Sequence, residues 1–261
     1  MKKVAVTREE KALPYYKYFN REMAEAPAEK VKIGEGPQND PRNGVKLEDR
    51  NKYLSGEAPG FEVGFCVMEN GTGLVANKTF MQGVTGEMLD WWFPWHSVGS
   101  DLRYKIWDNE DHYFAKADKV EYVVDPNVPN SQKTWGVNHQ ILEDIGSGPE
   151  PLLLCFKRPK DMGFDESILG TEKCASLVCG YGIGTPAIMV HKWYPVEGGV
   201  MFESRFWIGY TAKDGEFIKV VPEGQAIPEI VTRKLFQHNI KEYTNLANFL
   251  PEIYAEEKDN F

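Results

Sequence analysis

The sequence predicts an α+β fold: a curved antiparallel sheet with one long C-terminal helix across its concave side. Two hairpin signals, further strand-like runs between them and a late change to helical spacing carry that prediction. The first hairpin is FEVGFCVME, NGTG, LVANKTFM, two β-rich runs around a turn that opens with Asn70-Gly71. The second joins AIMVHKWYPV to VMFESRFWIGYTA through Glu197-Gly198-Gly199. LRYKIW, KVEYVVD, TWGVNHQILEDI, PLLLCFK and ASLVCGYGIG also read as strands. TGEMLDWWFPWH reads instead as a short aromatic helix that begins near Thr85 and is disturbed at Pro94.

From Pro228, suited to a first helical position, the period becomes helical. Val231, Leu235, His238, Glu242, Leu246 and Phe249 follow at steps of three and four on one face. Pro251 limits the helix or starts a last kinked turn. The result is a helix-grip arrangement. Residues 1–57 are polar and broken by Pro and Gly, with short helices expected only around 8–12 and 15–26. They lack apolar residues for a core of their own. They read as a segment that wraps the main domain, residues 58–261, or contributes to an oligomer contact.

Composition excludes several classes. With 261 residues, of which 42% are hydrophobic and 26% charged, the chain has the make-up of a folded globular protein rather than a disordered one. A net charge of −9 argues against nucleic-acid binding, which needs a local excess of Lys and Arg. No apolar run is long enough to span a membrane, and MKKVAVTREEK turns charged before a signal-peptide core can form. Cys66, Cys155, Cys174 and Cys179 form no CxxC pair, so a reducing cytoplasm is the expected compartment. Aromatics at 13% suit either a core of large residues or a pocket for a planar, hydroxylated ligand.

Candidate chemistry begins with His238 and Glu242. A carboxylate on a buried stripe is costly unless a metal ion or an internal pairing removes the cost. Side chains at i and i+4 point the same way, so both arrangements stay open. In TWGVNHQILEDI, alternation places Trp135, Val137, His139, Ile141, Glu143 and Ile145 on one face, and Glu143 thus on a core-facing side. His112 follows the acidic run WDNED. One His and one Glu from the sheet with the helical pair would form a site suited to Zn²⁺, with Fe²⁺ or Mn²⁺ chemically reasonable. Any of the other four histidines can fill the sheet position. His96 reads as a packing residue beside the aromatic helix, His139 as a ligand or its neighbour, and His191 as facing the cavity or as a satisfied core residue. GYGIGT is no dinucleotide fingerprint, and no GxSxG elbow or cysteine-nucleophile signature occurs.

The segments EMLDWWFPWH…SDLRYKIWDNEDHY (87–113), HQILEDIG (139–146) and HNIKE (238–242) resemble the phloretin hydrolase / diacetylphloroglucinol hydrolase family. The resemblance runs from about residue 60 onward. It implies a Bet v 1-like helix-grip domain, a homodimer, and hydrolysis of the carbon–carbon bond between an acyl group and a phloroglucinol ring. It further implies one divalent ion per chain, usually zinc, on His112, Glu143, His238 and Glu242. The family's substrate-contacting Tyr falls on Tyr104 and its pocket His on His191, with Phe206 and Tyr210 where a later pocket tyrosine is sought. For that chemistry Tyr104 is expected to orient a ring hydroxyl, His191 to transfer a proton or polarise the carbonyl, and Glu143 to shuttle a proton besides binding metal. Two rival expectations stand beside this: a non-catalytic helix-grip carrier of an aromatic ligand, and a metal enzyme of the same fold acting on other β-diketones. Pocket length separates phloretin, with its dihydrocinnamoyl arm, from diacetylphloroglucinol.

Overall fold

The computed structural model describes residues 2–213 and 215–261. Strands β1 (Gly64–Val67), β2 (Gly73–Gln82), β3 (His112–Ala117), β4 (Asn138–Asp144), β5 (Pro149–Lys157), β6 (Ser176–Ile183), β7 (Ala187–Val196) and β8 (Gly199–Ile208) form one antiparallel sheet. Their order is β1-β2-β8-β7-β6-β5-β4-β3. From β3 to β8 the chain meanders, and the early β1–β2 hairpin extends the sheet beyond β8. β9 (Tyr210–Lys213) and β10 (Glu216–Lys219) make a separate two-stranded ribbon. The helices are α1 (Tyr16–Asn20), α2 (Ala28–Glu35), α3 (Arg50–Ser55), α4 (Gly86–Trp95), α5 (Leu102–Lys105), α6 (Val120–Val124) and α7 (Glu229–Glu257). The α+β class, both hairpins and the long C-terminal helix are as expected from the sequence.

Alternation along the strands feeds two cores. Phe65, Val75, Val178, Met189 and Phe206 face α4 and α7, whereas their neighbours Cys66, Leu74, Cys179, Val190 and Trp207 face Val45, Leu47, Tyr53 and Leu54 on the opposite side. The first core also takes Tyr15, Tyr18 and Phe19 from the N-terminal segment. The β1–β2 turn shows why its glycine is needed: Gly71 has φ +83°, and a Cβ there would lie 2.1 Å from the Gln225 carbonyl oxygen. In α4 the Thr85 Oγ1 accepts from the Met88 N–H at 3.4 Å, and Trp91, Trp92 and Trp95 pack one another, Trp91 and Trp95 at 4.6 Å between ring centres.

Several local expectations change. LRYKIW is helix α5 followed by a turn, because Ser100-Asp101 offers helix-starting acceptors: Ser100 Oγ takes the Leu102 N–H at 3.2 Å. KVEYVVD forms the single turn α6 rather than a strand; only Val123 is buried there, so the other β-branched residues gain no packing that would favour a strand. The strand expected from Thr134 starts at Asn138. The N-terminal helix stops at Asn20, and α2 appears unheralded after Pro27. On α7, Pro228 is the N-cap and Pro251 is accommodated within the helix. Val231 is 42% exposed, and Thr232 turns inward in its place against Gly73.

Among the described residues, no helix is long and apolar enough to cross a membrane. All four cysteines are free and buried.

Candidate active site

A cavity of about 120 Å³ lies between α7, α4–α5 and the inner face of the sheet. A cavity of about 150 Å³ accommodates one benzene ring, so the enclosed space suits a single aromatic ring. Its inner end is lined by Tyr104, Glu143, His191, His238, Glu242 and Tyr243, and its mouth by the half-buried Leu152, Leu154, Tyr181 and Leu235.

Strand pairing builds the first half of the polar end. In the β3–β4 ladder His112 lies directly opposite Glu143, which brings Nε2 to 3.7 Å from Glu143 Oε2. The His112 ring stacks on Tyr104, centres 4.0 Å apart, and its Nδ1 lies 3.3 Å from the Tyr104 carbonyl. A carbonyl only accepts, so Nδ1 carries the proton and Nε2 presents its lone pair. Burial, reinforced by the neighbouring His238, pushes the His112 pKa well down and keeps that ring neutral. The Tyr104 hydroxyl donates to Glu143 Oε2.

Helix α7 supplies the other half. His238 and Glu242, one turn apart, bring His238 Nε2 to 3.3 Å and Glu242 Oε2 to 3.8 Å from His112 Nε2, with His238 Nε2 also 4.0 Å from Glu143 Oε2. Burial pushes the Glu242 carboxyl up to about 8 against the pull of His238. Burial opposes the charge on His238, but Asp111, Glu242, Glu143 and Asp108 outweigh it and push its pKa up to about 10. His238 Nδ1 has no hydrogen-bond partner; Asp111 Oδ2 faces it at 3.9 Å. Beside it, Lys241 Nζ neutralises Asp108, Glu110 and Asp111 at 3.1, 2.9 and 2.6 Å.

These donors fit a divalent ion. Bonds of about 2.0–2.2 Å in a tetrahedron set donors roughly 3.3–3.6 Å apart, so the four gaps given above, 3.3–4.0 Å, need only a small contraction. Asp108, His112 and His238 also bring one ligand atom each within 4.8 Å of one another, and Asp108 Oδ2 is buried without a partner. The structure thus contains a buried group able to hold a metal.

The structure brings Glu143, His238, Glu242, Tyr104 and His191 to one cavity, sets His112 fully buried behind Glu143 and His238, and leaves Tyr210 out. After Phe206 the strand breaks at Gly209, φ +94°, and Tyr210 enters the opposite core, where its hydroxyl accepts from Asn70 Nδ2 at 3.1 Å. Tyr210 is therefore no cavity residue, and Phe206 lines the wall without a hydroxyl. The residue missed is Tyr243, whose hydroxyl meets His191 Nε2 at 3.2 Å while His191 Nδ1 meets Ser204 Oγ at 3.0 Å. Its place on the stripe Phe236, Ile240, Tyr243 was the available signal. His96, read from sequence as packing, lines the cavity too: Nδ1 donates to the Trp92 carbonyl at 3.0 Å, which turns Nε2 into an acceptor. Burial pushes its pKa down to about 3, so the acceptor persists at any ordinary pH.

The chain is 60% identical to a phloretin hydrolase of Eubacterium ramulus over 99% of its own length and 96% of that protein's. It is 25% identical to a 2,4-diacetylphloroglucinol hydrolase of a Pseudomonas species, covering 93% of this chain and 88% of that one. A crystal structure of Ara h 8.0201 superposes with a TM-score of 0.42 at 9% identity, over 69% of this chain and 98% of that chain. The family model described as the DAPG hydrolase PhiG domain matches residues 45–255, and the chain belongs to that family.

Proposed function

We propose that the protein is a metal-dependent hydrolase that cleaves the bond between an acyl carbon and a phloroglucinol ring, with phloretin as its substrate. The observation that carries this is the convergence of Glu143, His238 and Glu242 at the inner end of an aromatic-lined cavity, on the buried His112 behind them. The 60% identity to a phloretin hydrolase supports phloretin over diacetylphloroglucinol. So does the apolar mouth of Leu152, Leu154, Tyr181 and Leu235, which suits a second ring.

Water supplies both fragments: its hydroxyl goes to the acyl carbon, giving phloretate, and a proton goes to the ring carbon, giving phloroglucinol. Zn²⁺, or Fe²⁺ with the same donors, would be held by His112, Glu143, His238 and Glu242 and supply Lewis-acid polarisation of the acyl carbonyl. The ring carbon leaves readily only after protonation, when the ring has become a cyclohexadienone and departs as an enolate. Tyr243, backed by His191 and Ser204, stands in the cavity wall as the donor of that proton. The ring hydroxyl that becomes the dienone carbonyl returns a proton to Tyr243, and Glu143 draws the proton from the attacking water and passes it to the departing enolate. Tyr104, hydrogen-bonded to Glu143, orients that carboxylate and a ring hydroxyl, and His96 Nε2 accepts from a further hydroxyl.

Release of phloroglucinol from phloretin, before and after treatment with a chelator, tests this reading. Chelator-sensitive release supports it. Metal-replete protein that releases nothing from phloretin or diacetylphloroglucinol rejects it in favour of a carrier. The same reading takes residues 58–261 as the catalytic domain wrapped by residues 1–57, in a cytoplasmic homodimer. Light scattering on the purified chain tests the dimer.

A further inference from the structure

We infer that Lys30, on α2 of the N-terminal segment, is a positioning residue for the proposed metal site and acts through two asparagine amides that end on Glu242. The inference rests on the metal-dependent reading above. Lys30 is buried, 7% exposed, and its ammonium donates to Asn77 Oδ1 at 2.8 Å, the Lys78 carbonyl at 2.6 Å and Thr79 Oγ1 at 3.0 Å. An ammonium has three donors and no acceptor, so Asn77 must show it an oxygen. The Asn77 amide nitrogen then points the other way and donates to Asn239 Oδ1 at 2.9 Å. Asn239 in turn donates through Nδ2 to Glu242 Oε1 at 3.1 Å.

The relay has one direction. Asn77 is 1% exposed and Asn239 is fully buried, so neither amide can turn over and find water instead. Reversing either would set two oxygens against each other. The charge on Lys30 thereby selects which end of Asn239 reaches the carboxylate, and it holds Glu242 Oε1 as an acceptor while Oε2 is left toward His112 Nε2. Groups that orient a ligand carboxylate in this way change metal affinity by about 10–100-fold when lost. Lys30 lies before residue 45, outside the stretch that the family model matches.

A tether that merely pins α2 to β2 makes a different prediction from a relay, and Asn77→Asp separates them. Aspartate keeps the shape and pairs with the Lys30 ammonium, so the tether survives. It has no amide donor, so Asn239 turns to donate to it and presents its own oxygen to Glu242. The expected result is a melting temperature equal to or above that of the parent protein. Affinity for Zn²⁺, measured by competition with a chromophoric chelator, falls ten- to a hundredfold. Lys30→Met, which loses tether and relay together, lowers both. Parental Zn²⁺ affinity in the Asn77→Asp protein overturns the relay and leaves Lys30 a tether. Failure of the parent protein itself to take up Zn²⁺ or Fe²⁺ overturns the metal reading, and is seen before any variant is made.

Discussion

His112 and His238 bring two imidazole nitrogens within 3.3 Å of each other in a buried site, with two carboxylates within 4.0 Å. Such a cluster is costly to bury unless a cation or shared protons hold it together. His238→Ala removes one donor and should leave metal content, read by elemental analysis after dialysis, below a tenth of the parent value; unchanged content would remove His238 from the ligand set. His96 permits a test on the substrate side. His96→Phe keeps the ring packing against Trp92, Tyr104 and Trp107 but deletes the acceptor. It should cut kcat/KM for a trihydroxyphenyl ketone about tenfold, the worth of one hydrogen bond. An analogue lacking the hydroxyl that His96 receives should be turned over equally by both proteins. These residues were unequally legible. Glu143, His238 and Glu242 stood out because a carboxylate or imidazole on an apolar face violates the periodicity around it. His96 did not, because its function rests on a carbonyl four residues back that fixes its tautomer.

Helix α4 carries another misplaced carboxylate. Burial pushes Asp90 up to about 6 from its usual 3.8, although the Ser176 hydroxyl donating at 2.7 Å opposes the shift. The folded chain therefore holds this proton more tightly than the unfolded chain does. Stability from this group is fully present below pH 3.8 and declines as pH rises through about 6. Asp90→Asn keeps an oxygen for Ser176 and should stabilise the protein by about 1–3 kcal/mol above pH 7, with no gain near pH 3.5. Thermal melts across that range check the sign; equal gain at both ends would exclude titration as the cause. The helices were also where sequence reading went furthest astray. LRYKIW and KVEYVVD are rich in β-formers, yet the first starts a helix from Ser100 and the second buries only Val123, and a short segment takes the conformation its surroundings favour.

The N-terminal segment is bound to the body of the protein by more than apolar contact. Glu10 and Lys105 form a buried pair at 2.7 and 2.9 Å, linking the first residues to α5, whose Tyr104 lines the cavity. Glu10→Ala leaves an unpaired ammonium and should cost about 3–5 kcal/mol in denaturant unfolding. A loss under 1 kcal/mol would show that water reaches Lys105 in the native state. By itself the sequence determined the α+β class, the two hairpins, the long terminal helix and the alternation that turns Glu143 inward. All of these follow from periods of two and of 3.6 within single segments. Only the tertiary structure decided what those segments meet. The β3–β4 register sets His112 against Glu143, the break at Gly209 sends Tyr210 out of the cavity, and the packing of α7 on β2 joins Lys30 to Glu242 through two amides. Contacts between residues on separate elements depend on how those elements dock, and no local period encodes that.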